Sequence, residues 1–320
     1  MARPWSELPL PRRLAQTLQL AHRRGFGLTP KTLARWCLGG PADLEDVEVA
    51  LRADPRFVMR QGVCVLADHG HLIAPTLDRM AVDPQLHART WAIATDFSRR
   101  LVDQCPWVRV VMVSGSLGAG AFLAADDIDF NLVVEDGTKY LTYALALAGA
   151  TRMALDHQLP EDDVAAQLPL LRKVVCLNVI WEESQTRPFS RTDPYLGFEL
   201  LQCVPLYGAR AWESLLSANP WLQACFPQLQ QWRWADVHGN GGSGASRMLA
   251  ALTTEPGRRA HLDDLARYGT SLLHRYVNAG RATSRPQVLQ RVRRMEEYKF
   301  PYGFFQEGQP TPVDLAPPLP

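Results

Sequence analysis

The chain has 320 residues, 47% of them hydrophobic and 21% charged, with 34 Lys and Arg against 33 Asp and Glu. That length suits roughly two or three domains, and the composition excludes a wholly disordered chain. The near-zero net charge excludes a global field steering the molecule toward nucleic acid or an anionic membrane.

The six cysteines, at 37, 64, 105, 176, 203 and 225, form no C-x-x-C pair and no zinc-type cluster. The opening MARPWSELPLPRRLAQ has no apolar signal core, and no run approaches the ~20 apolar residues of a membrane span. A cytoplasmic protein with free thiols and no membrane partner is expected.

Residues 1–75 read as a small module. LPRRLAQTLQLAHRRG puts Leu14, Leu18 and Ala21 on one helical face and stops at Gly25. LTPKTLARWCLGG supplies Thr29 as N-cap, Pro30 at the first helical position and Gly39-Gly40 as the stop. ADLEDVEVALRADP predicts a third helix, and in RFVMRQGVCVLAD the pair Gln61-Gly62 turns one β-rich run back on another. Three helices and a hairpin make the order of a winged helix-turn-helix. The third helix, however, carries Asp43, Glu45, Asp46 and Glu48 against Arg52 alone, a face that phosphates repel. A structural or protein-contact role is therefore expected over DNA binding.

Residues 76–104 predict one long linking helix with Trp91, Ala94, Phe97 and Leu101 on one side. From there to residue 208, the strand-like runs VRVVMVSG, DIDFNLVV and KVVCLNVIW alternate with helical KYLTYALALAGATRMALDHQL. DPYLGFELLQCVPLYGARAWESLLSANPWLQACF reads as helices broken at prolines, HGNGGSGAS as a flexible loop, and 259–299 as terminal helices. The expected fold class is α+β. It comprises a winged-helix-like module (1–75), a mixed-sheet domain with its linking helix (76–208), a helical region (209–305) and a Pro-rich tail (306–320).

Two features of the central segment carry chemistry. Gly115 lacks a Cβ, so its backbone can approach a phosphate closely, and Ser116 adds a hydroxyl and an amide. Eleven residues beyond the serine, Asp127 and Asp129 alternate with Ile128 and Phe130. In a strand, residues two apart share a face, so both carboxylates project together and offer hard oxygen ligands to Mg²⁺ or Mn²⁺. Asp126 points the other way. Solvated turn aspartates are the plain alternative, but Asp is disfavoured in strands.

SGS followed by DDIDF resembles the G-S…D-h-D signature of the polymerase-beta-type nucleotidyltransferase superfamily. EDGTKYLTYAL, KVVCLNVIW, FELLQCVPLYG and ANPW extend the likeness, over about residues 8–230, to bacterial nucleotidyltransferase-domain proteins with an N-terminal winged helix. The resemblance implies Mg²⁺-dependent transfer of a nucleoside monophosphate from an NTP, with ATP the expected donor. Gly115 and Ser116 would hold phosphates, and Asp127 and Asp129 the metal.

The chain departs from that pattern. Leu117-Gly118-Ala119-Gly120 stands where many members carry an Arg, so Lys139 is the candidate for a phosphate-facing cation, with a solvated lysine at a helix start as the equal alternative. The later strand usually supplies a third Asp, and here Asn178 occupies its middle. Asn178 can ligate or orient but cannot act as general base. Glu182 and Glu183 are the candidate bases, although exposed acids at a loop start are the commoner case. Glu199 is an acceptor-side residue or a carboxylate buried by an arginine. His69 and His71 read as a solvated turn rather than a metal pair. The basic helix RPQVLQRVRRMEEYK reads as a solvated face, with a polyanion contact as the alternative.

The expected function is nucleotidyl transfer to a hydroxyl or amine, with a small molecule as acceptor and a tRNA or protein acceptor left open. A degenerate nucleotide-binding adaptor acting through the winged-helix module is the second reading.

Overall fold

A computed structural model describes residues 4–124, 126–156, 174–232, 234–235, 237 and 244–281. Residues 238–243 of the expected loop, the expected helix at 285–299 and the Pro-rich tail lie outside the described residues. The fold class is mixed α+β, and no helix among the described residues is long and apolar enough to cross a membrane.

Helices α1 (Leu10–Arg23), α2 (Pro30–Arg35) and α3 (Leu44–Ala53) precede the hairpin of β1 (Phe57–Arg60) and β2 (Val63–Leu66). Thr29 caps α2 by accepting from the Thr32 amide at 3.1 Å, and Asp43 caps α3 by accepting from Glu45 at 2.8 Å. Gln61 and Gly62 both take positive φ, +50° and +78°, which is what a two-residue hairpin turn requires.

The expected single linking helix is two: α4 (Ile73–Met80) and α5 (Pro84–Gln104). Asp83 caps α5 by accepting from the Gln85 amide at 2.9 Å, and Pro84 takes the first helical position. Proline cannot continue the preceding ladder, so the Asp-Pro pair ends one helix and starts another. On α5, Ala94, Phe97 and Leu101 are buried as their spacing predicts.

The main sheet has the order β5-β4-β3-β6, formed by β3 (Val108–Ser114), β4 (Ile128–Val134), β5 (Val175–Glu182) and β6 (Val204–Tyr207). β3 is antiparallel to both β4 and β6, whereas β4 and β5 run parallel, joined through α7 (Lys139–Asp156). β6 lies in a stretch expected to be helical. Val204-Pro205-Leu206-Tyr207 is short and at the sheet edge, where a proline's missing N–H costs no ladder bond. The turn Gly115–Gly118 (α6) follows β3; α8 (Pro194–Leu201), α9 (Ala209–Ala218) and α10 (Pro220–Cys225) flank β6, and α11 (Gly244–Leu252) and α12 (Pro256–Arg281) close the described chain.

The sheet's two faces bury different cores. Val111, Val113, Ile128, Phe130 and Leu132 pack with α5 and α7. Val110, Met112, Val133 and Trp181 pack with α8–α10 and with the N-terminal helices through Leu14, Leu18 and Leu33, making one continuous core. Polar ties secure this junction. The Gly39 amide donates to the Cys225 carbonyl at 2.6 Å, and Gln228 donates to the Arg35 and Cys37 carbonyls at 3.1 and 2.9 Å. The first 75 residues are thereby built into the wall of the molecule.

Asn219, in ANPW, is fully buried. Its amide donates to Thr186 and Leu215 carbonyls at 2.7 and 2.8 Å, and its Oδ1 accepts from the Phe189 amide at 2.9 Å. Asn219→Ala orphans these groups and is expected to cost about 2–4 kcal/mol in urea unfolding.

His22 is buried, stacks on His69 with centroids 4.3 Å apart, and neither ring nitrogen has a hydrogen-bond partner. Burial first, then the neighbouring His69, lowers its pKa to about 4. A depressed imidazole stabilises the fold fully above the unfolded value near 6.5 and loses that contribution as pH falls toward 4. Unfolding free energy is expected to drop by roughly 2–3 kcal/mol over that window, and by measurably less in His22→Phe.

Candidate active site

The site begins at the antiparallel pairing of β3 and β4, which sets Ser114 opposite Asp129. The chain leaves β3 at Gly115 with φ +63°, a left-handed conformation that side chains disfavour. A Cβ built there would overlap Asp129 Oδ2 and lie only 3.0 Å from the Asp129 Cβ and Cγ. Glycine is therefore needed twice, for the turn and to make room for the carboxylate. Ile128 and Phe130 point into the α5/α7 core, so Asp127 and Asp129 share the opposite face, as their spacing predicts.

The same alternation continues to Asn131, which is buried under the carboxylates. Its Oδ1 accepts from Ser114 Oγ at 3.2 Å and from Asn178 Nδ2 at 3.3 Å, while its Nδ2 reaches Cys203 Sγ at 3.5 Å. Burial pushes the Cys203 thiol up to about 12, keeping this strut uncharged. Asn178 thus belongs to a polar row beside Asp129.

In the parallel register Asp129 pairs with Cys176, two residues before Asn178. One ligand atom from each of Asp127, Asp129 and Cys176 falls within 4.8 Å of the others. Cys176, rather than the expected Asn178, is the β5 residue beside the two aspartates. Just beyond this pair β5 bulges: Phe130 pairs with Leu177 but Asn131 with Val179, so Asn178 is the extra residue.

Three expected site residues lie elsewhere. Glu182 pairs in register with Val134, at the far end of β4 from Asp129, and its Oε1 accepts from the Gly137 amide at 2.7 Å. Glu183 is ion-paired to Arg187 at 2.8 Å and to Arg109 at 3.7 Å. Lys139 opens α7 beyond that same end and is buried, its Nζ 5.7 Å from the Tyr140 ring centroid. Seven strand residues span roughly 20 Å, so none of the three faces the carboxylates.

A cavity of about 450 Å³ has Gly115, Ser116, Asp127 and Asp129 on one wall, joined by Asp126, which was expected to point the other way but precedes β4 and escapes its alternation. Residues 24–36, from the end of α1 into α2, and helix α4 supply the other, including Arg24, Phe26, Thr32, Trp36 and Arg79. Arg79 bonds Asp126 at 2.9 Å and the Ala121 carbonyl at 3.2 Å; Asp126 also accepts from the Leu123 amide at 3.1 Å, which fixes the loop before the metal-type aspartates. Arg24 pairs with Glu199 at 2.9 Å. Burial raises the Glu199 carboxyl despite Arg24, so Glu199 is the arginine-buried carboxylate of the two readings given above. The cations on this cavity's wall are Arg24 and Arg79 rather than Lys139; both stand more than 35 residues from Gly115, where no local pattern marks them. His69 stacks on both His22 and His71, and none of the three lines this cavity.

Compared with protein-family models, curated proteins and solved structures, the chain matches none.

If Asp129 is what forbids a side chain at position 115, Gly115→Ala and Asp129→Ser are non-additive. Gly115→Ala alone is expected to cost about 1–3 kcal/mol, and at least ~1 kcal/mol less in the Asp129→Ser background. Urea unfolding of the four proteins in the cycle measures the coupling.

Proposed function

We propose that the chain is a metal-dependent nucleotidyltransferase of the polymerase-beta type, moving a nucleoside monophosphate, with ATP as donor, onto a hydroxyl or amine of a small acceptor. The observation that carries this reading is the packing of a left-handed Gly115 against Asp129, with Asp127 alongside, on the wall of a cavity that also holds two arginines.

The donor set suits the implied ion. Two carboxylates satisfy the oxygen preference of Mg²⁺ or Mn²⁺, and the neighbouring Cys176 thiol is a ligand that Mn²⁺ tolerates better than Mg²⁺ does. Bound there, the ion would offset charge on the transferring phosphoryl group. Gly115 exposes backbone to the phosphates, Ser116 adds its hydroxyl, and Arg79 and Arg24 bring positive charge from the facing wall. In the transfer the acceptor oxygen or nitrogen bonds the α-phosphorus, the bond to the β-phosphate oxygen breaks, and pyrophosphate leaves. Asp127 or Asp129, which both line the cavity, would take the acceptor proton. Glu182 and Glu183 have no part in this scheme.

The segment from Arg24 through α2, within the module read as a winged helix, serves together with α4 as the second wall of the cleft. A nucleotide-binding adaptor without turnover is the second reading, favoured by a thiol standing where the superfamily's third carboxylate is usual.

Incubation with α-³²P-labelled ATP, Mn²⁺ or Mg²⁺ and a panel of acceptors is expected to release pyrophosphate and label one acceptor. Asp127→Asn and Asp129→Asn are each expected to lower that rate at least ~100-fold. ATP binding with no labelled product from any acceptor would favour the adaptor.

A further inference from the structure

A second cavity, of about 570 Å³, adjoins the first and shares Thr32, Trp36, Ala119, Gly120 and Gln202 with it as walls. The chemistry of the two differs. The first carries three aspartates; the second has no carboxylate among its described walls and two cations, Lys31 and Arg35. These lie one turn apart on α2, are exposed, and make no ion pair among the described residues.

Two further features give the space a built character. Trp232 in its wall stacks on Trp212 at 4.4 Å and 13°, so its ring plane is fixed, and Trp36 lies at the boundary of the two cavities. Gln228 is buried, and its Nε2 donates to the Arg35 and Cys37 carbonyls, which settles the orientation of its amide. Its Oε1 is then a buried acceptor with no partner in the protein. An unsatisfied buried acceptor is costly, and at a cavity wall a ligand hydroxyl or N–H relieves that cost.

Resting on the transferase reading above, we propose that this second compartment binds the acceptor, and that the acceptor is an anion: a small phosphate- or carboxylate-bearing molecule with a flat or apolar body and a hydroxyl or N–H donor. Lys31 and Arg35 hold the acidic group, Trp36 and Trp232 flank the body, and Gln228 Oε1 accepts from the donor. A polycationic acceptor, which needs carboxylates in its pocket, is excluded by the same charges.

The test uses two probes with one ring and opposite charge, phenyl phosphate and phenyltrimethylammonium. Indole N–H signals of the full-length protein, ¹⁵N-labelled at tryptophan, are followed with α,β-methylene-ATP and Mn²⁺ present to occupy the first cavity. Signals are assigned with Trp36→Phe and Trp232→Phe. Phenyl phosphate is expected to shift the Trp36 and Trp232 signals saturably, with phenyltrimethylammonium at least tenfold weaker. In Lys31→Glu/Arg35→Glu, two exposed changes whose folding circular dichroism checks, phenyl phosphate is expected to bind at least tenfold more weakly. Equal response to both probes, or binding indifferent to the charge reversal, overturns the proposal. The transferase reading fails separately: if the ATP analogue and Mn²⁺ do not bind while phenyl phosphate still does, the anion site stands and the role of acceptor is lost.

Discussion

The structure of the site depends on one steric fact: a carboxylate occupies the space where residue 115 would carry its side chain. Ser114 is paired opposite Asp129 across two antiparallel strands, and the next residue must turn out of the sheet over that aspartate. Only glycine combines the left-handed φ with the missing Cβ. This ties the two halves of the motif together physically. The Gly115 backbone and the Asp129 carboxylate are packed against each other.

What surrounds that contact is polar below and cationic in front. Asn131 spends its side chain on Ser114, Asn178 and Cys203, holding the floor of the site in one arrangement without adding charge. The facing wall comes from the first 80 residues, through Arg24 and Arg79, and it is held in place by a core that runs from Leu14 to Leu229 without interruption. The first helices share one core with α8 to α10 and one face of the main sheet.

Much of this was legible in the chain. The alternation Asp127-Ile128-Asp129-Phe130 states which side chains enter the core, and Thr29-Pro30 and Gln61-Gly62 mark a helix start and a hairpin by local chemistry alone. Asp83-Pro84 carried an equally local signal for the break between α4 and α5, but the apolar periodicity on either side masked it. Asn131 continues the same period of two and was equally readable. Cys176 was harder: two polar positions of one parity lie on β5, and only pairing with β4, interrupted by a bulge, shows that the earlier one meets Asp129. Glu182, Glu183 and Lys139 were drawn in by closeness in sequence. A strand carries its two ends far apart, so residues at the exit of β5 and the start of α7 lie away from a site built at the entrance of β4. Arg24 and Arg79 had no local mark, since their role comes from tertiary packing.

The most direct measurement is a crystal structure of the protein with a non-hydrolysable ATP analogue and Mn²⁺. Anomalous scattering from manganese between Asp127 and Asp129, with the triphosphate over Gly115 and Ser116 and within reach of Arg79, is the predicted result. Manganese absent from these carboxylates, or a nucleotide bound away from Gly115 and Ser116, would contradict a nucleotidyl-transfer site at this contact.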